Sequence, residues 1–189
     1  SKDSILLYNT ETTQTTQFPN VLDDDITVVE QTDDTHFFIA TEMGVRYTQL
    51  DKGTLHIIPL ETLDNVYTQI NGLYFHRQLQ RLFIGSDGTF AYDMSTQKII
   101  KSDTALGDVS ITHIRPLNPK ELLVATEGMG VHKIDVNTCK TSPYIVANYE
   151  SYNEMNGNNI TDIYIDEEKR IWLANYPTGV TIVDNRYKN

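Results

Sequence analysis

A five-residue pattern that occurs four times constrains the fold of this chain more than any other feature. Each copy has three large apolar residues, then one small residue and one short polar residue. The small residues stand at positions 40, 85, 125 and 174, so successive copies are 45, 40 and 49 residues apart. A fixed period of this length indicates one supersecondary unit stacked several times. The copies are Phe37–Thr41, Leu82–Ser86, Leu122–Thr126 and Ile171–Asn175.

The residues around each copy keep the same register and predict four strands per unit. Ile26, Ile111 and Ile160 each lie 14 residues before the small residue and are followed by Thr, whereas the second unit has Asn71 and then Tyr74 in this register. The apolar residues are consecutive, which favours strands buried on both faces, as in stacked sheets. We therefore predict an all-β fold: a β-propeller fragment of about four four-stranded antiparallel blades, an open arc of a larger ring of about seven blades. The predicted inner strands are 26–31, 66–76, 110–115 and 160–165.

The strand count predicts broken blades at both ends of a single segment, 1–189. Residues 5–18 match a third and a fourth strand, and Val180–Asp184 match a third strand alone. An exposed strand edge is a template for association. We therefore expect neighbouring blades of a parent protein as partners, and a homo-oligomer formed through the open blade edges. The predicted units are a partial blade 5–18, blades 24–59, 65–102 and 109–146, and an incomplete blade 160–186.

Composition argues against several classes of partner. The net charge is −11, from 26 acidic and 15 basic residues without a basic cluster, so nucleic acid is not expected to bind. The chain lacks a run of about 18 apolar residues, so no direct membrane contact is expected. Cys139 is the single cysteine, and the five His are scattered, so we expect no internal disulfide, no metal and no cofactor.

The last unit, residues 159–175 followed by Gly179 and Val180, resembles the two-component regulator propeller repeat. That repeat has an apolar inner strand, an acidic turn, a Gly and an Ile-Trp-Ile-Gly-Thr-like strand; here Arg170 replaces the Gly. The resemblance implies the periplasmic sensor region of a Bacteroides-type hybrid protein with a histidine kinase and a response regulator. It further implies an inner-membrane parent that binds an oligosaccharide and regulates glycan-utilisation genes.

The candidate ligand-binding residues lie in loops predicted to share one face of the propeller. In a propeller of this topology, the second-to-third and fourth-to-first connections share a face, which we call the top face. Asn, Tyr and acidic side chains suit a neutral, hydroxyl-rich ligand, and loops on a rigid scaffold commonly carry function. The candidates are Glu42, Asp87, Glu127, Tyr149, Tyr152, Asn159 and Tyr176.

Two other classes of function stay open at this point. One is a scaffold that binds proteins through a face or an edge. The other is a propeller lyase, lactonase or glycosidase, which requires convergent His and carboxylate groups. The inner strands offer Glu30, Gln69, His113 and Asp162, in unmatched positions, so we expect no catalytic residues in this segment. Trp172 is predicted to pack between blades.

Overall fold

The computed structural model describes residues 4–22, 24–64, 66, 68–101, 105–147, 155 and 157–184. These residues form seventeen strands and one four-residue helix, α1 (Glu61–Asp64). The strands build five sheets, and in every sheet they pair antiparallel in chain order. The predicted all-β propeller fold is therefore confirmed. None of the described helices is long and apolar enough to cross a membrane.

Three of the sheets have four strands, one has three and one has two. The N-terminal hairpin is β1 (Ser4–Tyr8) and β2 (Thr15–Pro19). The first blade is β3 (Ile26–Gln31), β4 (His36–Thr41), β5 (Gly44–Asp51) and β6 (Thr54–Ile58). The second blade is β7 (Gly72–His76), β8 (Arg81–Ser86), β9 (Gly88–Asp93) and β10 (Lys98–Lys101). The third blade is β11 (Ile111–Asn118), β12 (Glu121–Thr126), β13 (Val131–Asp135) and β14 (Thr141–Ile145), and the fourth is β15 (Ile160–Ile165), β16 (Ile171–Asn175) and β17 (Gly179–Val183).

The repeated pentad is apolar at successive positions because its side chains alternate between two blade interfaces. Phe38 and Ala40 of the first blade pack in one cluster with Leu82 and Ile84 of the second. The clusters between the later blades follow the same rule, with the second and fourth pentad residues facing the following blade. Burying a large apolar side chain of this kind contributes about 1.5–3 kcal/mol, so the pentads form the core of the stack.

The threonine of the Ile-Thr dipeptide connects one blade to the next. Thr27 and Thr112 lie where the register of the inner strand shifts by one residue. The Thr27 hydroxyl donates to the Ile70 carbonyl at 2.7 Å, and the Thr112 hydroxyl donates to the Ile160 carbonyl at 2.6 Å. Each acceptor is the corresponding isoleucine of the following blade.

The second blade carries one extra residue before its pentad. The predicted alignment of Asn71 with Ile111, and of Tyr74 with Ile114, is therefore wrong. Ile70, fully buried, takes the place of Ile111 and Ile160. Leu73 faces Ile84 in the way that Ile114 faces Val124. The inner strand also begins at Gly72 rather than at residue 66, and α1 lies in the connection before it.

Trp172 is only partly buried, contrary to the prediction that it packs between blades. Its equivalents in the pentads, Phe38, Phe83 and Leu123, are at most 2% exposed. Trp172 faces the side of the fourth blade that the described residues do not cover. Tyr164 and Ile182, its cross-strand partners, are 62% and 50% exposed on the same side. The apolar run identified the strand, whereas burial depends on a neighbouring blade.

Candidate functional site

Four of the predicted ligand-binding residues lie on one continuous backbone ladder along the top face. Asp87 pairs with Ser110, and Glu127 pairs with Asn159. The Glu127 amide also donates to the Ser110 carbonyl at 2.9 Å, and the Tyr176 amide donates to the Asn159 carbonyl at 2.9 Å. We call these five residues the rim ladder. The ladder runs across the second, third and fourth blades, so a ligand on it would contact several blades.

Three side chains of the rim ladder are free to meet a ligand, because Asp87, Glu127 and Tyr176 are exposed. Asn159 is partly buried. Glu42 is exposed and follows the first pentad as Asp87 follows the second, but the described contacts do not join it to the ladder. Tyr149 and Tyr152 lie outside the described residues. The rim therefore offers carboxylates, an amide and one aromatic ring.

Glycines that open the third strands allow the connections between blades to cross the rim closely. A Cβ atom on Gly88, at φ +85°, would lie 2.7 Å from the Gly107 carbonyl oxygen. A Cβ atom on Gly130, at φ +74°, would lie 2.6 Å from the Ile145 carbonyl oxygen. Side chains at these positions would push the connection away, and the positive φ also favours glycine. The glycines therefore help to set the shape of the rim.

A second group of residues lies on the inner strands, on the side that faces the following blade. The residues opposite the small pentad residue are Val28, Gly72, His113 and Asp162. Residues two apart on a strand share a face. The positions two residues further along therefore form a second level on the same side, which consists of Glu30, Tyr74, Arg115 and Tyr164.

His113 and Asp162 lie close together across the interface of the third and fourth blades. The His113 Nε2 atom is 3.3 Å from the Asp162 Oδ1 atom, so the interpretation that these two residues are in unmatched positions is wrong. Burial lowers the pKa of His113, and Arg115 adds to this effect, while Asp162 raises the pKa. The net shift is downward, which favours the neutral imidazole at neutral pH.

A cleft lies at the far ends of the inner strands, opposite the rim. We call it the inner-strand cleft; its volume is about 560 Å³. Residues of three blades line it: Glu30 and Gln31, then 74–78, then Pro116–Pro119. His76 is 6% exposed and holds two walls together. Its Nδ1 atom accepts from the Leu79 amide at 3.3 Å, so Nε2 carries the proton and donates to the Pro119 carbonyl at 3.1 Å.

Glu30, Tyr74 and Arg77 influence one another electrostatically in this cleft. Burial raises the pKa of Glu30, although the Phe75 amide, which donates to Oε1 at 2.8 Å, and the charges of Arg115 and Arg77 act in the opposite direction. Burial also raises the pKa of the Tyr74 phenol; Glu30 adds to the shift and Arg77 opposes it. The phenol therefore stays protonated at neutral pH and keeps its hydrogen-bond donor.

Sequence reasoning missed this cleft as a binding site. Glu30 was considered only as a catalytic candidate, and Tyr74 was placed one position out of register by the extra residue of the second blade. With Ile70 aligned to Ile111, the level that contains Glu30, Tyr74 and Arg115 is polar or aromatic in every blade. That shared character is the signal that could have located the cleft.

The described residues contain no group of three or more His, Cys, Asp or Glu that could hold a metal ion. Asp33 and Asp166 instead cap turns: Asp33 Oδ1 accepts from the Thr35 and His36 amides at 2.9 Å. Asp166 Oδ1 accepts from the Arg170 amide at 2.9 Å. Both acidic segments are therefore turns stabilised by their own aspartate side chains.

Comparison with known proteins confirms the resemblance found in the last unit. Residues 154–176 match the family model described as two component regulator propeller. No curated protein matches the chain by sequence.

Similar solved structures share the fold along almost the whole chain. They include the extracellular domains of two putative hybrid two component systems from B. thetaiotaomicron. One has a TM-score of 0.73 and 21% identity over 96% of this chain and 25% of its own. The other has a TM-score of 0.72 and 16% identity over 97% of this chain and 24% of its own. PorZ, a surface component of the type-IX secretion system of Porphyromonas gingivalis, has a TM-score of 0.66 and 13% identity over 94% and 28%. The chain thus spans about a quarter of the length of these two extracellular domains.

Proposed function

We propose that this chain is part of the periplasmic sensor region of a hybrid two-component system, and that it recognises an oligosaccharide to regulate glycan-utilisation genes. The observation that carries the proposal is the fold shared with two extracellular domains of such systems over 96% and 97% of the chain. The family match at residues 154–176 supports the same assignment. The parent protein would be an inner-membrane histidine kinase, and this segment would bind without catalysing.

The rim ladder is the proposed site for a neutral oligosaccharide. Its carboxylates and amide suit sugar hydroxyls, and the ring of Tyr176 is 66% exposed and available for stacking on a sugar. Because the ladder runs across three blades, a ligand that spans it would favour one arrangement of the blades over others. Such differential affinity is what allows binding to shift a signalling equilibrium.

Thermal-shift measurements with neutral oligosaccharides test this proposal. A ligand at 100 times its Kd would stabilise the folded state by about 2.7 kcal/mol, which a melting curve detects. We expect Tyr176→Ala to abolish the shift. Tyr8→Ala is the matched control, because Tyr8 is 56% exposed on the N-terminal hairpin, away from the rim. A shift that survives Tyr176→Ala would place the site elsewhere, and no shift with any oligosaccharide would contradict sugar recognition.

A protein-binding scaffold is the second candidate function. The observation that favours it is the uncovered apolar side of the fourth blade, where Tyr164, Val180 and Ile182 are at least half exposed. Contiguous exposed apolar surface marks interaction sites. A scaffold would leave the melting temperature insensitive to every oligosaccharide, so the same thermal-shift experiment separates the two functions.

A further inference from the structure

We propose that the inner-strand cleft is a second sugar site, which binds the carboxylate of an acidic sugar residue between Arg77 and Arg115 and packs its ring against Tyr74. The inference rests on the proposed function only in taking the ligand to be a sugar. The cleft lies at the opposite ends of the inner strands from the rim ladder. The residues that line it account for the proposed preference for a negatively charged ligand.

The size and lining of the cleft suit a small polar ligand. Its volume of about 560 Å³ lies within the roughly 300–1,000 Å³ of typical ligand sites. Tyr74, Pro116 and Pro119 provide apolar surface, while Gln78 provides an amide donor and acceptor. The side-chain amides of Gln31 and Asn118 are already hydrogen-bonded within their own turns. Apolar walls with a few polar groups allow a sugar ring to stack and its hydroxyls to be hydrogen-bonded.

Charge indicates an acidic ligand rather than a neutral one. Arg77 and Arg115 are exposed, and neither guanidinium forms an ion pair with a described residue. The Arg115 Nη1 atom donates to the Ile114 carbonyl at 3.1 Å, which leaves its other N–H groups for a ligand. The positive charges of Arg77 and Arg115 both act to lower the pKa of Glu30, in a chain whose net charge is −11. Arg77 lines the cleft, and Arg115 lines an adjoining cavity of about 300 Å³ that shares Pro116 and Leu117 with it. The planar guanidinium matches the geometry of a carboxylate and binds it more strongly than a neutral group.

The cleft is held in shape before any ligand arrives. Glu30 of the first blade accepts from the Phe75 amide of the second, and His76 of the second donates to Pro119 of the third. These two hydrogen bonds fix the walls of three blades relative to one another. Preorganisation of this kind reduces the entropy lost on binding. A sugar in the cleft would therefore join blades that are already connected.

The Glu30 carboxylate should affect the binding of acidic and neutral sugars in opposite directions. Its carboxylate would repel an acidic sugar but would accept hydrogen bonds from the hydroxyls of a neutral one. Glu30→Gln keeps an oxygen for the Phe75 amide and removes the charge. We expect this variant to bind an acidic sugar as tightly as the wild type or more tightly. Because glutamine has one acceptor oxygen fewer than glutamate, the variant should bind a neutral sugar more weakly.

The test uses the 189-residue chain and two matched sets of probes. One set is oligosaccharides that contain uronic acids, and the other is the same oligosaccharides with their carboxyl groups reduced to alcohols. Isothermal titration should show binding of the acidic set and about tenfold or greater weakening for the reduced set. Arg77→Gln and Arg115→Gln should each weaken the acidic set by about tenfold or more. Lys98→Gln is the matched control. It also removes one positive charge, at the exposed end of β10, and should leave the affinity for the acidic set unchanged.

Several results would overturn the cleft proposal. If the acidic set binds with the same affinity to both arginine variants as to the wild type, the site lies elsewhere. Tighter binding of the reduced set, weakened by Glu30→Gln, shows a neutral-sugar cleft. Neutral oligosaccharides that bind through Tyr176 while the acidic set fails to bind leave the proposed function intact and remove only the cleft. An acidic peptide that binds through Arg77 while every sugar fails to bind removes both.

Discussion

Single hydroxyl groups connect one blade to the next at the bulges of the first and third inner strands. The Thr112 hydroxyl donates at 2.6 Å to the carbonyl of Ile160, which is fully buried in the following blade. Thr161 occupies the same position in the fourth blade, but its hydroxyl donates at 3.3 Å to Ala174 of its own blade. The same residue type therefore makes an interblade bond in one blade and a weak, exposed bond within the blade in the other.

We predict that Thr112→Val lowers the free energy of unfolding by about 1–2 kcal/mol, because the shape is kept while the Ile160 carbonyl loses its donor. Thr161→Val is the matched control and should cost less than about 0.5 kcal/mol, as is usual for an exposed site. Urea denaturation followed by circular dichroism measures both values. If both substitutions lower the free energy of unfolding by the same amount, the interblade hydrogen bond of Thr112 does not contribute to stability.

A second feature at this scale is the environment of the single tryptophan. The Asp166 Oδ2 atom accepts from Trp172 Nε1 at 2.8 Å and from Arg170 Nε at 2.6 Å. Burial alone would raise the pKa of Asp166, but these hydrogen bonds outweigh it and lower the pKa to about 2. A lowered pKa in the folded state means that Asp166 stabilises the fold above its unfolded pKa of about 3.9, and that this contribution is lost as the pH falls towards 2.

Trp172 fluorescence should therefore stay constant through the usual aspartate range near pH 3.9 and change only as the pH approaches 2. In Asp166→Asn the charge is absent, so the step near pH 2 should disappear and the emission at neutral pH should already differ from the wild type. Circular dichroism in the same samples separates this local change from unfolding. A wild-type step centred near pH 4 would contradict the assigned hydrogen bonds.

At the scale of strands, the pentads were predictable because their pattern comes from a local rule, burial on both faces of a strand. The register of the second blade was not, since one extra residue after Ile70 leaves the apolar pattern almost unchanged. The position of Asp87, Glu127 and Tyr176 on the top face was also predictable, because each of them directly follows a pentad. The cleft was not, because it needs the exact alignment of inner strands from three blades.

Equivalent pentad positions should differ in their contribution to stability according to whether a blade covers them. Phe83 is 2% exposed between the second and third blades, so Phe83→Ala should cost about 3–5 kcal/mol. Trp172 is larger but lies on an uncovered side, so we expect Trp172→Ala to cost less than half as much. Chemical denaturation of both variants gives the comparison. A larger loss for Trp172→Ala would mean that this side is covered in solution.

At the scale of the whole molecule, the described chain presents two apolar surfaces of complementary kind. One is a groove of about 270 Å³ between the N-terminal hairpin and the first blade, lined by residues such as Leu7, Phe18 and Phe37. The other is the uncovered side of the fourth blade, with Trp172 and Ile182. The groove lies on the side of the first blade that faces a preceding blade, and the uncovered side of the fourth blade faces a following one. Within the chain, these two sides pack against each other wherever one blade follows another.

We therefore expect the chain to self-associate, with the fourth blade of one copy packed on the groove of the next. Light scattering over a concentration series should show an average mass that rises with concentration. Ile182→Lys should keep the chain monomeric, because the lysine places a charge on the apolar side and also opposes pairing at the edge strand β17. Met43→Lys is the matched control, since Met43 is 58% exposed in the turn between β4 and β5 and lies in neither surface. A mass that stays at one chain at all concentrations, or association that survives Ile182→Lys, would show that the two surfaces do not meet between copies.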